Sequence, residues 1–489
     1  MMLSLKKLDQ VDYEKKQKKK IERELPYFIT IVTLLATSGL GPYFIFRKLK
    51  EINLLPTIKI ESEKILKRID LLGLDPLTAM NQAKDKPSSK ALGEFLTGYV
   101  SSIQSGGNVL NYLKSKMTTA YENHENAQKQ SIEKVSGVVH GWLSMQIVVL
   151  ALFIMVSAMS SGAISGSTTT TTDSNYQNYL LLVAPILSII FLKVVQNMNT
   201  AYTNELEIKK ILRYAIPSVL IATVLVLTNV LSDFKVDAYV VGVALIATSM
   251  WPALKFKKIY TLNIDAEDAT PQILRDITEA RKAGIGPEKC VIRACKRTDY
   301  KSFNPVANAV ANKLEWGIPL RDIFETIQKE IKNFQVLISF RILFEVISSG
   351  GGNVNTLDSL SNTSEKMHSG ELNKREMLKP YIMVGFMVMA VTAFTTLLVI
   401  SSFEQIDEQK NLGATPTQQN TNKTNSLMQA VSISVLVQSW LAGLFIGKIT
   451  TGVYSGGFLY AIFLIIISFI GIAIIQAGVI NISSIMGSP

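Results

Sequence analysis

Seven stretches of this chain are long and apolar enough to cross a bilayer, and they restrict the fold more than any single motif does. They run over 142–159, 179–192, 214–231, 238–254, 380–403 and 426–447, and within 454–480. Each is free or nearly free of charge. A spanning helix needs about 20 such residues, because it rises only ~1.5 Å per residue through a hydrocarbon core ~30 Å thick. Pro185 and Pro217 stand near span starts, where neighbouring groups satisfy the backbone bonds that a proline removes. A 48% hydrophobic composition fits this reading and argues against a fully soluble basic protein.

Charge then orients the spans. The amino-terminal run YEKKQKKKIERE has no apolar signal-peptide core, so it is expected to stay in the cytoplasm. The first four crossings return the segment beginning KFKKIY to the same side, and all seven place the carboxyl terminus outside. The expected external loop SGAISGSTTTTTDSN carries no Lys or Arg, and the next carries only Lys410 and Lys423, whereas the internal connection 193–213 is basic. The expected architecture is an all-α polytopic protein of the cytoplasmic membrane with about seven spans. A cytoplasmic helical domain over 1–140 precedes four spans over 141–254, and a second cytoplasmic helical domain over 255–379 precedes three spans over 380–489. The basic runs Lys15–Lys20 and Lys255–Lys258 lie beside spans, so membrane lipids account for the net charge of +11 without a nucleic-acid partner.

The two cytoplasmic segments share a pattern. An offset of 245 residues maps Gly106, Gly107 and Asn108 onto Gly351, Gly352 and Asn353, and maps Pro26, Gly39, Gly41, Pro42 and Phe95 onto Pro271, Gly284, Gly286, Pro287 and Phe340. A fixed offset joining widely spaced turn residues indicates a diverged duplication. Leu25, Phe28, Ile29, Val32 and Leu35 fall on one helix face, as do Ile273, Leu274, Ile277 and Ala280. SGLGP and AGIGP then read as a helix end followed by a restart on proline. The GGN element reads as a further helix boundary; it lacks the Lys and hydroxyl of a phosphate-binding loop. The faces diverge, since Ile31 and Leu34 correspond to Asp276 and Glu279.

Catalytic chemistry finds no footing. His124, His140 and His368 have no metal-ligand spacing. Cys290 and Cys295, in CVIRAC, are read as buried thiols in a reducing compartment. No Walker A sequence is present, so no catalytic, cofactor or metal residues are expected, and ATP hydrolysis belongs to another chain.

The paired segments ELPYFITIVTLLATSGLGP with SSIQSGGNV, and ATPQILRDITEARKAGIGP with VISSGGGNV, together with the intervening spans, resemble the type II secretion system F-domain family. They are most similar to its archaeal membrane platforms for type IV pili and archaella. The resemblance implies a noncatalytic platform that couples a separate cytoplasmic secretion ATPase to insertion of pilin-like or archaellin subunits, within an oligomeric assembly machinery. It implies scaffold roles at structural turns for Pro26, Gly39, Gly41, Pro42, Gly106, Gly107, Pro271, Gly284, Gly286, Pro287, Gly351 and Gly352. Arg23, Glu24, Arg275 and Asp276 are candidate partner contacts on helix surfaces. The alternative from the same spans is a polytopic transporter or channel.

Overall fold

The computed structural model describes residues 2–85, 89–160, 173–198, 238–297, 299–350, 352–411 and 418–476, with the isolated positions 216 and 220. All regular structure among them is helical. A first series comprises α1 (Met2–Thr37), α2 (Pro42–Lys50), α3 (Pro56–Leu72), α4 (Pro76–Asp85), α5 (Lys90–Gln104) and α6 (Val109–Ser160). After α7 (Asp173–Met198) comes a second series: α8 (Ala238–Lys282), α9 (Pro287–Arg297), α10 (Asn304–Glu315), α11 (Leu320–Glu330), α12 (Phe334–Ser348) and α13 (Val354–Asn411). The described chain closes with α14 (Gln418–Thr451) and α15 (Gly457–Gln476).

These helices form two compact units, one of residues 1–129 and 261–373, the other of 130–260 and 374–489. Helices α6, α8 and α13 each contribute residues to both.

In the first unit, α1 and α12 are the helices that read apolar on every side. Residues 24–35 of α1 are all buried, as are 336–347 of α12, and a helix hydrophobic all round belongs inside a core. The two helices pack on each other, with the Tyr27 and Phe334 rings edge to face at 5.0 Å. Their counterparts in the other series, α8 and α5, are amphipathic: Ile273, Leu274 and Ile277 point inward, while Arg275 and Glu279 are exposed. The apolar Ile31 and Leu34, which the 245-residue offset pairs with Asp276 and Glu279, are core residues.

The second unit is built around α14. In its most apolar stretch 89% of residues are buried, against 22% for α13. It packs against α7 and α15. Trp142 stacks near Phe445 at 4.6 Å, and Trp440 donates its indole N–H to Ser249 Oγ at 3.1 Å. Ser188 on α7 receives amide hydrogens from Gln146 of α6 at 3.2 Å and Gln438 of α14 at 2.9 Å, a polar node tying three helices where lipid offers no competing partner.

Five helices among the described residues have membrane-crossing length and composition: Val109–Met155, Ala238–Lys282, Val354–Thr396, Val431–Thr451 and Tyr454–Ile474. Val183–Gln196 is a shorter apolar helix. The expected span over 214–231 lies outside the described residues apart from positions 216 and 220. The chain is thus an all-α protein with the long apolar helices of a multi-pass membrane protein.

Candidate functional site

The turn residues singled out by the repeat are helix caps. Gly39 and Gly284 adopt φ of +87° and +82°, the left-handed region that a side chain strains to enter. Each closes its helix with the same pair of bonds: Gly39 N–H to Ala36 O and Leu40 N–H to Leu35 O, then Gly284 N–H to Arg281 O and Ile285 N–H to Ala280 O. Gly41 and Gly286 supply the carbonyls that accept the first amides of α2 and α9, from Ile45 and Cys290. Pro42 and Pro287 begin those helices, where no amide proton is needed.

The GGN turns work alike with a one-residue difference. Gly106 has φ of +64°, and in the second turn Gly350 adopts a matching φ of +76°. Helices α5 and α12 also start and end 244 residues apart, so the offset drops by one here and recovers at Asn353. Gly351 lies outside the described residues. Asn108 and Asn353 then cap α6 and α13, accepting from Asn111 N–H at 3.0 Å and Thr356 N–H at 2.8 Å.

The two turns of the second series touch. A Cβ on Gly352 would stand 2.6 Å from Pro287 Cγ. Arg281 ties the turns together, donating from Nε to Gly352 O at 2.7 Å and from Nη1 to Ile285 O at 3.0 Å. Ala36 occupies the corresponding place in the first series, and Gly107 meets only its own helix end, near Ser105 and Ser102. Pro26 and Pro271 are corrections to the turn assignment: both lie inside long helices, α1 and α8. The buried Thr30 hydroxyl donates to Pro26 O at 2.8 Å and pairs with Tyr121 Oη at 2.9 Å.

The candidate partner contacts separate by burial. Glu24 is only 3% exposed, which removes it from any docking surface. Its carboxylate caps α3, accepting from Thr57 N–H at 3.0 Å, Ile58 N–H at 2.9 Å and Thr57 Oγ1 at 2.9 Å, a duty that Leu55 at the N-cap cannot perform. Burial raises the Glu24 pKa, and the hydrogen bonds from Ile58 and Thr57 and the Arg23 charge oppose the shift. A raised folded-state pKa means that this group's contribution to stability is fullest at acid pH and falls as pH climbs above the ordinary carboxylate value. Glu24→Gln is therefore expected to keep the cap and flatten that part of the pH–stability curve, whereas Glu24→Ala costs about 1–2 kcal/mol. Denaturation of the purified protein at several pH values reads both effects. An Ala variant as stable as the parent would remove the capping role.

Arg23 is half-buried beside Glu24. Arg275 is exposed and lies 3.8 Å from Glu279. Asp276 pairs with Arg297 of α9 at 2.7 Å. Burial raises the Asp276 pKa first, Glu279 adds to the rise, and Arg297 and Arg275 counter it. The polar face that remains available is thus Arg275, Glu279 and the Asp276–Arg297 pair, at the α8–α9 corner. Cys290 and Cys295 are buried free thiols, and burial pushes Cys295 up to about 12, where it stays protonated and unreactive at neutral pH.

Two features escaped the sequence reading. The first is an ion triad in the first unit, with two members buried and the third half-buried: Glu345 of α12 meets Arg341 at 2.5 Å and Lys48 of α2 at 3.1 Å. The second is the α14–α15 hairpin, where Gly443 and Gly447 meet Ala461 and Gly457 at backbone contact. The small-residue spacing at both pairs was its available signal.

Residues 273–401 match the model of the family "Type II secretion system (T2SS), protein F". The match begins within α8 and runs through the second helical series into α13, so a domain of this type is present there. The chain is also similar to "Uncharacterized protein MJ1286" of Methanocaldococcus jannaschii, 21% identical over 426 residues that cover 78% of this chain and 69% of the relative. No solved structure matches. Proteins F are noncatalytic membrane platforms, and no group of three or more metal-ligating side chains occurs among the described residues. Fold and matches together are consistent with a membrane-embedded protein that carries a domain of the protein F type over residues 273–401.

Proposed function

We propose that this chain is the membrane platform of an archaeal type IV pilus or archaellum, coupling a separate cytoplasmic ATPase to the insertion of pilin-like subunits into a filament. The observation that carries the reading is the protein F match over 273–401, in a helical series whose last helix, α13, continues without a break into an apolar stretch. The two series are diverged copies of one domain. Support comes from matched bonds away from the turns: Thr33 to Ile29 O and Thr278 to Leu274 O, and, at the starts of α5 and α12, Ser89 to the Glu22 carboxylate and Asn333 to the Glu267 carboxylate. Both copies and the amino terminus face the cytoplasm, a reading that the basic segments at 15–20, 193–213 and 255–258 support. The carboxyl terminus faces outward. The ATPase docks on the polar α8–α9 corner, where Arg275 and Glu279 offer charges of both signs for complementary pairing.

Crosslinking in native cells, followed by copurification and mass spectrometry, tests the reading. A secretion ATPase and pilin-like subunits should be recovered, with ATPase crosslinks in residues 255–379. Intact complexes containing neither partner would overturn it.

A further inference from the structure

The apolar part of α8 and its charged end carry an arrangement that the platform reading does not use. Val240 (60% exposed), Val243 (58%), Trp251 (43%) and Leu254 (57%) form an outward stripe along the helix. Their spacing, three or four residues and multiples of it, keeps them on one face. The stripe ends abruptly in charge. Lys255 follows Leu254 directly, and Lys258 lies one turn further on; both are exposed. The Lys255 ammonium folds back to 3.8 Å from the centre of the Trp251 ring, a cation–π contact that holds the charge at the depth of the indole. Phe256, on the opposite side of the helix, is buried and stacks on its helix neighbour Tyr260 at 5.3 Å, while Lys255 and Lys258 lie on the exposed side.

An apolar stripe as long as an acyl chain, an interfacial indole and two ammonium groups at its end complement one kind of molecule. We propose that the Trp251–Lys255–Lys258 face of α8 binds the phosphate headgroup of an anionic membrane lipid, with the lipid's chains lying along Val240 to Leu254. Zwitterionic lipids offer a phosphate too, but their own ammonium offsets it, so net headgroup charge sets the preference. Each lysine near an anionic surface contributes about fivefold in affinity, and the pair therefore gives a preference on the order of tenfold or more, weakened by salt because the site is exposed.

The full-length protein in phosphatidylcholine nanodiscs carries its own reporter, since bromine on lipid chains quenches a nearby indole. Trp251 emission, taken as the difference from Trp251→Phe, is measured with small amounts of brominated phosphatidylglycerol or brominated phosphatidylcholine. The expected result is stronger quenching by phosphatidylglycerol, removed by Lys255→Gln/Lys258→Gln and unchanged by Lys18→Gln/Lys19→Gln. Equal quenching by the two lipids, or a preference that survives the double Gln change, overturns the proposal. So does loss of the preference on adding soluble glycerol phosphate, which would make this a site for free anions. Where the Gln variant also loses quenching by phosphatidylcholine, its fold is damaged and Lys255→Arg/Lys258→Arg decides: a retained preference supports the site and a lost one refutes it. None of these readouts depends on an ATPase or a filament.

Discussion

Gly447→Leu is expected to disrupt the second unit, with a loss of roughly 3 kcal/mol or more. A Cβ at 447 would stand 2.0 Å from Gly457 Cα, and one at 443 would stand 2.2 Å from Ala461 Cα. Both obstacles are backbone, so no rotamer change relieves them, and α14 and α15 have to separate. The separation would reach the centre of the unit, because α14 also carries Gln438 and Trp440, whose bonds reach α7 and α8. In a bilayer the penalty is not offset by water entering the gap, since helix association there rests on close packing and buried hydrogen bonds. The control is Gly137→Ala, at a helical position where an added Cβ meets nothing within 4 Å; its better helix propensity makes it neutral or stabilising. Thermal unfolding in detergent and limited proteolysis should place the Leu variant far below the parent and the Ala variant at or above it. A Leu variant that melts with the parent would mean the helices are not in backbone contact.

Glu345→Ala is the second large effect, at about 3 kcal/mol. The carboxylate is 9% exposed and answers two cations, Arg341 at 10% and Lys48 at 31%. Removing it leaves Arg341 in a low-dielectric setting among Phe324 and the apolar residues of α12. The damage comes from the orphaned charges more than from the lost attraction. Replacing all three by apolar residues of similar size, as in Lys48→Met/Arg341→Met/Glu345→Leu, should recover most of the loss. Hydrogen exchange on α2 and α12 locates the effect: both helices belong to the first unit and come from different series, so they should lose protection together. Loss confined to α12 would show that the triad does not join the two series.

The sequence was most legible where one residue type answers one backbone demand. SGLGP and AGIGP each announced a helix end followed by a proline start, and left-handed caps formed at Gly39 and Gly284. The apolar stretches at 238–254 and 380–403 were legible by length alone, and each proved to be part of a longer helix, α8 and α13. Legibility failed where a role depends on what packs from elsewhere. Glu24 looks like a surface acid beside Arg23, and only the arrival of α3 turns it into a cap. Pro26 looks like a turn residue because local rules place proline at helix starts, yet packing holds α1 helical through it. The extra glycine in SSGGGN shifts the left-handed position to Gly350, a one-residue slip that a fixed offset cannot register. The divergence of Ile31 and Leu34 from Asp276 and Glu279 was visible in sequence; its cause, that α1 is enclosed while α8 keeps one side in solvent, was not.

The burial of α14 bears on how this protein is made. Spans leave the ribosome in chain order, and α14 emerges after α6, α7, α8 and α13, the helices whose inner surfaces it and α15 complete. Until it arrives, Trp142 has no Phe445 to pack on, Ser249 has no Trp440, and Ser188 has only one of its two amide partners. The earlier spans must therefore wait in the membrane with polar groups half satisfied, a state that quality-control proteases recognise. Nonsense changes between α13 and α14 should consequently yield a chain that is inserted yet short-lived, even though both helical series have been synthesised in full.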